Sequence, residues 1–90
     1  MVTESTGSAE IENVILDLVR ARGPDKSICP TEAAQALDPV RWRGRLGDVR
    51  ASAIRLAQAG AIDILRKGKP VNPTDFRGVY RLRLKVYDPA

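Results

Sequence analysis

Nucleophilic chemistry needs a side chain that can be activated, and this sequence offers one thiol, Cys29, in a chain without histidine. A thiol reacts readily once its pKa is lowered by a neighbouring base, and no imidazole is present to do so. Cys29 therefore reads as a packing residue. A single cysteine cannot close an internal disulfide, and without His the usual zinc ligand sets are missing, so no metal site is expected. Lys67-Gly68-Lys69 lacks the spaced glycines and the strand-to-helix setting of a phosphate-cradling loop. No clustered carboxylate pair stands out for acid–base work, so the chain reads as a non-enzyme that needs no cofactor.

What remains is charge. The formal net charge of +4 conceals two unlike halves: residues 1–40 hold three Lys/Arg against seven Asp/Glu, whereas residues 41–85 hold twelve against three. A basic surface of this kind favours polyanions, because each neutralised phosphate releases condensed counterions. Eleven of the fifteen basic residues are arginine and alanine is abundant, a bias that a GC-rich genome produces without selection for binding. The candidate phosphate contacts are Arg43, Arg45, Arg50, Arg55, Lys67, Lys69 and Arg77.

The elements that must position these residues follow from periodicity. Over residues 42–60, Trp42, Leu46, Val49, Ala53, Leu56 and Ala57 recur at the spacing of one helical face, and Gly60 supplies a left-handed residue that closes the helix. Upstream, Ser8 reads as an N-cap, Glu10 and Glu12 suit the positive end of a helix, and Ile11, Val14, Ile15, Leu18 and Val19 form a stripe ended by Gly23-Pro24. Residues 25–29 read as extended with Ile28 inward, and Pro30 opens a short helix over 30–37 that packs through Ala33 or Ala34 and Leu37. Asp38-Pro39 then turns the chain into the central helix.

Residues 61–66 read as a strand. A basic loop over 67–78 follows, with Pro70, Pro73 and Gly78, longer than an ordinary hairpin connection and held by Val71 and Phe76 folding back. Over residues 79–87, Tyr80, Leu82, Leu84 and Val86 alternate with Arg81, Arg83 and Lys85, the period of a strand wet on one face. The order predicts an α+β winged helix-turn-helix, three helices followed by a two- or three-stranded antiparallel wing. Residues 8–87 form one domain, with a disordered lead-in over 1–7 and a tail over 88–90.

On the central helix, Gly44, Gly47, Asp48, Ala51, Arg55 and Gln58 fall opposite the apolar stripe. That is a poor set for reading base edges, and Asp48 repels phosphate unless Arg45 neutralises it. Arg43 and Arg50 on one flank and Arg45 on the other suit backbone phosphates instead. The small outer residues with Ile54 also permit another protein to approach closely. Trp42, in phase with Leu46 and Val49, reads as capping the core rather than stacking on a base.

The segments Arg22-Gly23-Pro24-Asp25-Lys26-Ser27-Ile28-Cys29-Pro30, Trp42, Val49-Arg50, Arg66-Lys67-Gly68-Lys69-Pro70-Val71 and Arg81-Leu82-Arg83 resemble a family of small bacterial proteins of unknown function with a winged-helix-like fold. The resemblance spans residues 11–84 and implies the fold; it carries no activity. Two functions are therefore expected in competition. One is binding of double-stranded DNA, mainly through backbone phosphates, from the third helix and the basic wing; the other is a protein-interaction module that meets a partner or forms a homodimer through Ile54. With no run of eighteen apolar residues and no secretory layout at the N-terminus, no membrane is involved and the cytoplasm is the expected compartment.

Overall fold

The computed structural model describes residues 8–85. The lead-in over 1–7, the tail, Val86 of the last strand and the side chain of the expected cap Ser8 lie outside the described residues. Three helices precede a three-stranded antiparallel sheet, the α+β layout of a winged helix-turn-helix. Helix α1 (Ser8–Arg22) buries Ile11, Ile15 and Val19 along one side. It ends where the Gly23 amide donates to the Val19 carbonyl, with Gly23 at φ 92.

Ile28 leaves the following connector to exchange both backbone hydrogen bonds with Leu82 (2.8 and 2.9 Å), and it is fully buried. Helix α2 (Pro30–Leu37) then starts on proline, whose missing amide costs nothing there. Its first turn is tied down by Glu32, which accepts the Cys29 amide at 3.0 Å. Asp38 Oδ1 accepts the amides of Val40 and Arg41 and so shapes the turn into the third helix.

The stretch read as one helix over 42–60 is two pieces. A 3-10 turn (Trp42–Arg45) leads into helix α3 (Leu46–Gln58). The chain leaves the Asp38 turn with an i→i+3 bond from the Gly44 amide to the Arg41 carbonyl. Glycines at 44 and 47 give the wider α-turn little propensity to displace it. Val49, Ala53 and Leu56 still carry the buried face, and α3 closes at Gly60 with φ 83.

Strand β1 (Ile62–Arg66) begins one residue later than periodicity places it. The basic loop is also different at its start. Lys67 (φ 54) and Gly68 (φ 81) make a tight left-handed turn into a two-residue strand β2 (Lys69–Pro70), which pairs with β1 in the register Arg66↔Lys69. The long connection is therefore residues 71–80. Strand β3 (Arg81–Leu84) is shorter than the expected 79–87 among the described residues, because Val79 stays outside the sheet and 83% exposed. The order is β2-β1-β3, with Ile64 opposite Leu82, and these two meet Ile15, Val49 and Ile62 in the core. Each such side chain, fully buried, contributes about 1.5–3 kcal/mol.

Candidate nucleic-acid interface

The wing connection is held against α3 by one arginine. Arg50 donates Nη2 to the Phe76 carbonyl at 3.1 Å and lays its guanidinium 4.3 Å from the centre of the Phe76 ring. Phe76, nearly buried, meets Tyr80 edge-on at 5.2 Å, so the expected fold-back of the loop is in place, with Val71 also packed on the core. Between α2, α3 and residues 78–80 lies a groove of about 600 Å³, lined by Cys29, Pro30, Leu46, Val79 and Tyr80 with Arg50 as its charged member. Burial pushes the Tyr80 phenol up from its ordinary pKa, against the opposing pull of the Arg50 charge, so the groove presents a neutral hydroxyl. Cys29 is a half-buried wall of this groove.

A second recess, about 330 Å³, adjoins the first across Val79 and Tyr80. Ser27, Leu65, Arg66, Lys67, Gly68 and Arg81 complete its lining. Arg66 Nη1 donates to the Val79 carbonyl at 3.0 Å, and Arg81 donates Nε to Ser27 Oγ at 2.6 Å. Arg66 and Arg81 are not among the candidate phosphate contacts read from the sequence. Arg81 looked like one of three similar outward positions on a strand, and nothing in local spacing links Ser27 to it. The Ile28↔Leu82 bridge makes that link.

Eight of the eleven arginines fall into two electrostatic classes. Arg22 pairs with Glu32, Arg45 with Asp48 at 3.8 Å, Arg55 with Glu12 at 2.9 Å, and Arg83 with Asp63 at 3.5 Å. Arg43, Arg50, Arg66 and Arg81 have no carboxylate partner among the described residues. They rest instead on neutral groups: the Trp42 ring at 4.3 Å from Arg43, the Phe76 carbonyl and ring, the Val79 carbonyl, and Ser27. A guanidinium held this way keeps its charge for a ligand.

Of the residues expected to contact phosphate, Arg50 is bonded to Phe76, Arg77 is exposed on the next residue of the wing, and Lys67 lines the recess next to Arg66. Lys69 follows on β2, exposed, and Arg43 is exposed at the entry to α3. Arg45 serves to offset Asp48, as its spacing suggested. Arg55 is exposed but pairs with Glu12 of α1 and also donates to the buried Ser52 Oγ at 2.8 Å, so its charge is already engaged. The outer face of the helix, with Gly44, Gly47, Asp48, Ala51 and Gln58 all exposed, is as poor in base-reading groups as the sequence implied. Ile54 is half-buried against the core, and Trp42 likewise packs at the core's edge. No helix among the described residues is long and apolar enough to cross a membrane.

The model of one protein family matches residues 8–85, the whole described span, and its description is Protein of unknown function (DUF3253). No curated protein matches the chain.

Proposed function

We propose, for a chain that belongs to the DUF3253 family, that it binds double-stranded DNA mainly through backbone phosphates, from the start of the third helix and the basic wing. The reading rests on one observation: Arg50, Arg66, Lys67 and Arg81 line two adjoining cavities, and the three guanidiniums are fixed by uncharged acceptors rather than by acids. Arg43, Lys69 and Arg77 extend the same cationic supply along α3 and the wing. Two of the acids of the first half, Glu12 and Glu32, are paired with Arg55 and Arg22. Phosphate contacts position a protein without reading sequence, which suits a helix whose outer face is small and sparse in donors. A DNA-binding role places the protein in the bacterial cytoplasm, and this chemistry asks for no catalytic group.

Binding to a mixed-sequence duplex, followed by fluorescence anisotropy, should weaken steeply with salt, the logarithmic slope changing by about 0.9 per phosphate contacted. Arg50→Glu combined with Lys67→Glu should abolish it, and Lys67→Gln alone should lower the slope by about 1. No binding by the native chain at low salt overturns the reading.

The exposed Val79 beside a largely apolar groove favours a second reading, a surface that docks a protein partner or a second copy. Sedimentation of the same sample distinguishes the two. A concentration-dependent dimer with no duplex affinity selects the second.

A further inference from the structure

Three cationic side chains and one hydroxyl, from three separated parts of the chain, meet at one end of the sheet. Ser27 comes from the connector between α1 and α2, Arg66 and Lys67 from the end of β1 and its turn, and Arg81 from the start of β3. Arg81 donates Nε to Ser27 Oγ at 2.6 Å and Nη2 to the Ser27 carbonyl at 3.1 Å. Arg22 donates Nη1 to the same carbonyl at 3.1 Å, and Arg66 is anchored on the Val79 carbonyl. A guanidinium carries five N–H donors, so Arg66 and Arg81 each keep several unused, and Ser27, whose oxygen accepts, keeps its hydroxyl hydrogen to donate. The nearby carboxylate, Glu32, pairs with Arg22 and makes no hydrogen bond to Arg81, although its pKa is lowered first by the Cys29 amide and then by the charges of Arg22 and Arg81. Like charges gathered in a recess repel one another, and an anion placed among them relieves that repulsion.

We propose that this recess binds a phosphate monoester, whether as inorganic phosphate, a nucleotide or the phosphorylated end of a DNA strand. A monoester offers three terminal oxygens and close to two negative charges at neutral pH, which matches three cations and a hydroxyl in a concave site. A diester inside a duplex is flanked by sugars on both sides and meets the rim of such a recess, not its floor. The site goes beyond duplex binding: it shares Arg66, Lys67 and Arg81 with the proposed duplex surface and adds Ser27, while Arg50 does not line it, so variants can separate the two readings.

The test titrates the isotope-labelled full chain with inorganic phosphate, against chloride at matched ionic strength, and follows backbone amide shifts. Saturable shifts at Ser27, Lys67, Gly68 and Arg81 are expected, with Arg55 and Arg83 unmoved. Ser27→Ala and Arg81→Gln should each weaken binding about tenfold, the effect of losing one charge-assisted hydrogen bond. Lys67→Gln, on an exposed turn, provides the same reading should either variant lose its native spectrum. Shifts that fail to saturate, or that spread over every arginine, mean an adventitious ion only and overturn the proposal. A short oligonucleotide bearing a 5′-phosphate should bind about tenfold tighter than its 5′-hydroxyl twin by the same arithmetic; equal affinities overturn the assignment to a monoester. Arg50→Glu should remove duplex binding while leaving the phosphate shifts in place, so failure of one reading is distinguishable from failure of the other.

Discussion

Arg50 gives Nη2 to the Phe76 carbonyl, whereas Arg55 gives Nε to Glu12 and Nη2 to the buried Ser52, so one residue type on one helix serves two different ends. Arg50→Gln should weaken duplex binding clearly and change stability little. Arg55→Gln should do the reverse. Its exposed ion pair is worth under about 1 kcal/mol, but Ser52 then loses its donor in the core, so a loss of about 1–2 kcal/mol in chemical denaturation is expected with duplex affinity nearly unchanged. Equal effects of the two variants on binding would contradict the sorting of arginines by partner. Gly78 shows the same dependence on neighbours: its φ of +83 is one that side-chain-bearing residues rarely adopt, and a Cβ there would lie 2.6 Å from Arg66 Nη1 and push the guanidinium away. The arginine of the recess is thus seated against bare backbone. Sequence reading found the cationic residues of the wing and helix, and it could not tell engaged from unengaged charge, because Glu12 and Arg55 meet only through the packing of α1 on α3.

Both turns that frame α2 are built on carboxylates. Glu32 is held below the usual carboxylate range first by the Cys29 amide and further by Arg22, against an opposing cost of burial. Asp38 is likewise lowered, chiefly by the Arg41 amide and then by that of Val40, again against burial. A carboxyl whose folded pKa lies below its unfolded value stabilises the fold fully above the unfolded pKa, about 4. That contribution disappears as pH falls through the folded value. The midpoint of thermal unfolding should therefore be flat near neutrality and fall in the acid range, and the fall should be shallower in Glu32→Gln. An unchanged acid limb in that variant would show the cap to be energetically idle. The Glu32 side chain reaches its partner through the turn at Pro30, a proline–helix boundary plain in the sequence. The 3-10 turn before α3 was not plain, because Trp42 keeps the apolar phase of the helix while the backbone there winds differently.

At the scale of the whole molecule the pairing of Ile28 with Leu82 matters most. It joins the α1–α2 connector to β3, places both side chains fully in the core, and carries Ser27 to Arg81. Leu82→Ala should cost about 2–5 kcal/mol, as large-to-small changes in packed cores do. Denaturant titration measures this, and a loss below about 1 kcal/mol would mean that the site collapses to fill the void. The two cavities share the Val79–Tyr80 wall, so the surface proposed to receive an anion is assembled from α2, α3, the connector and two strands at once. No single segment contains it.

The order of helices and strands, the stops at Gly23 and Gly60, the inward Ile28 and the cationic bias of the second half were all legible in residue types and spacing, because each is a local property of a few neighbours along the chain. Which arginines stand beside a carboxylate was decided only in three dimensions. A carboxylate neutralises a guanidinium by standing within a few ångströms of it, and the fold brings Glu12 to Arg55 and Asp63 to Arg83 while leaving Arg50, Arg66 and Arg81 on carbonyls, a ring and a hydroxyl.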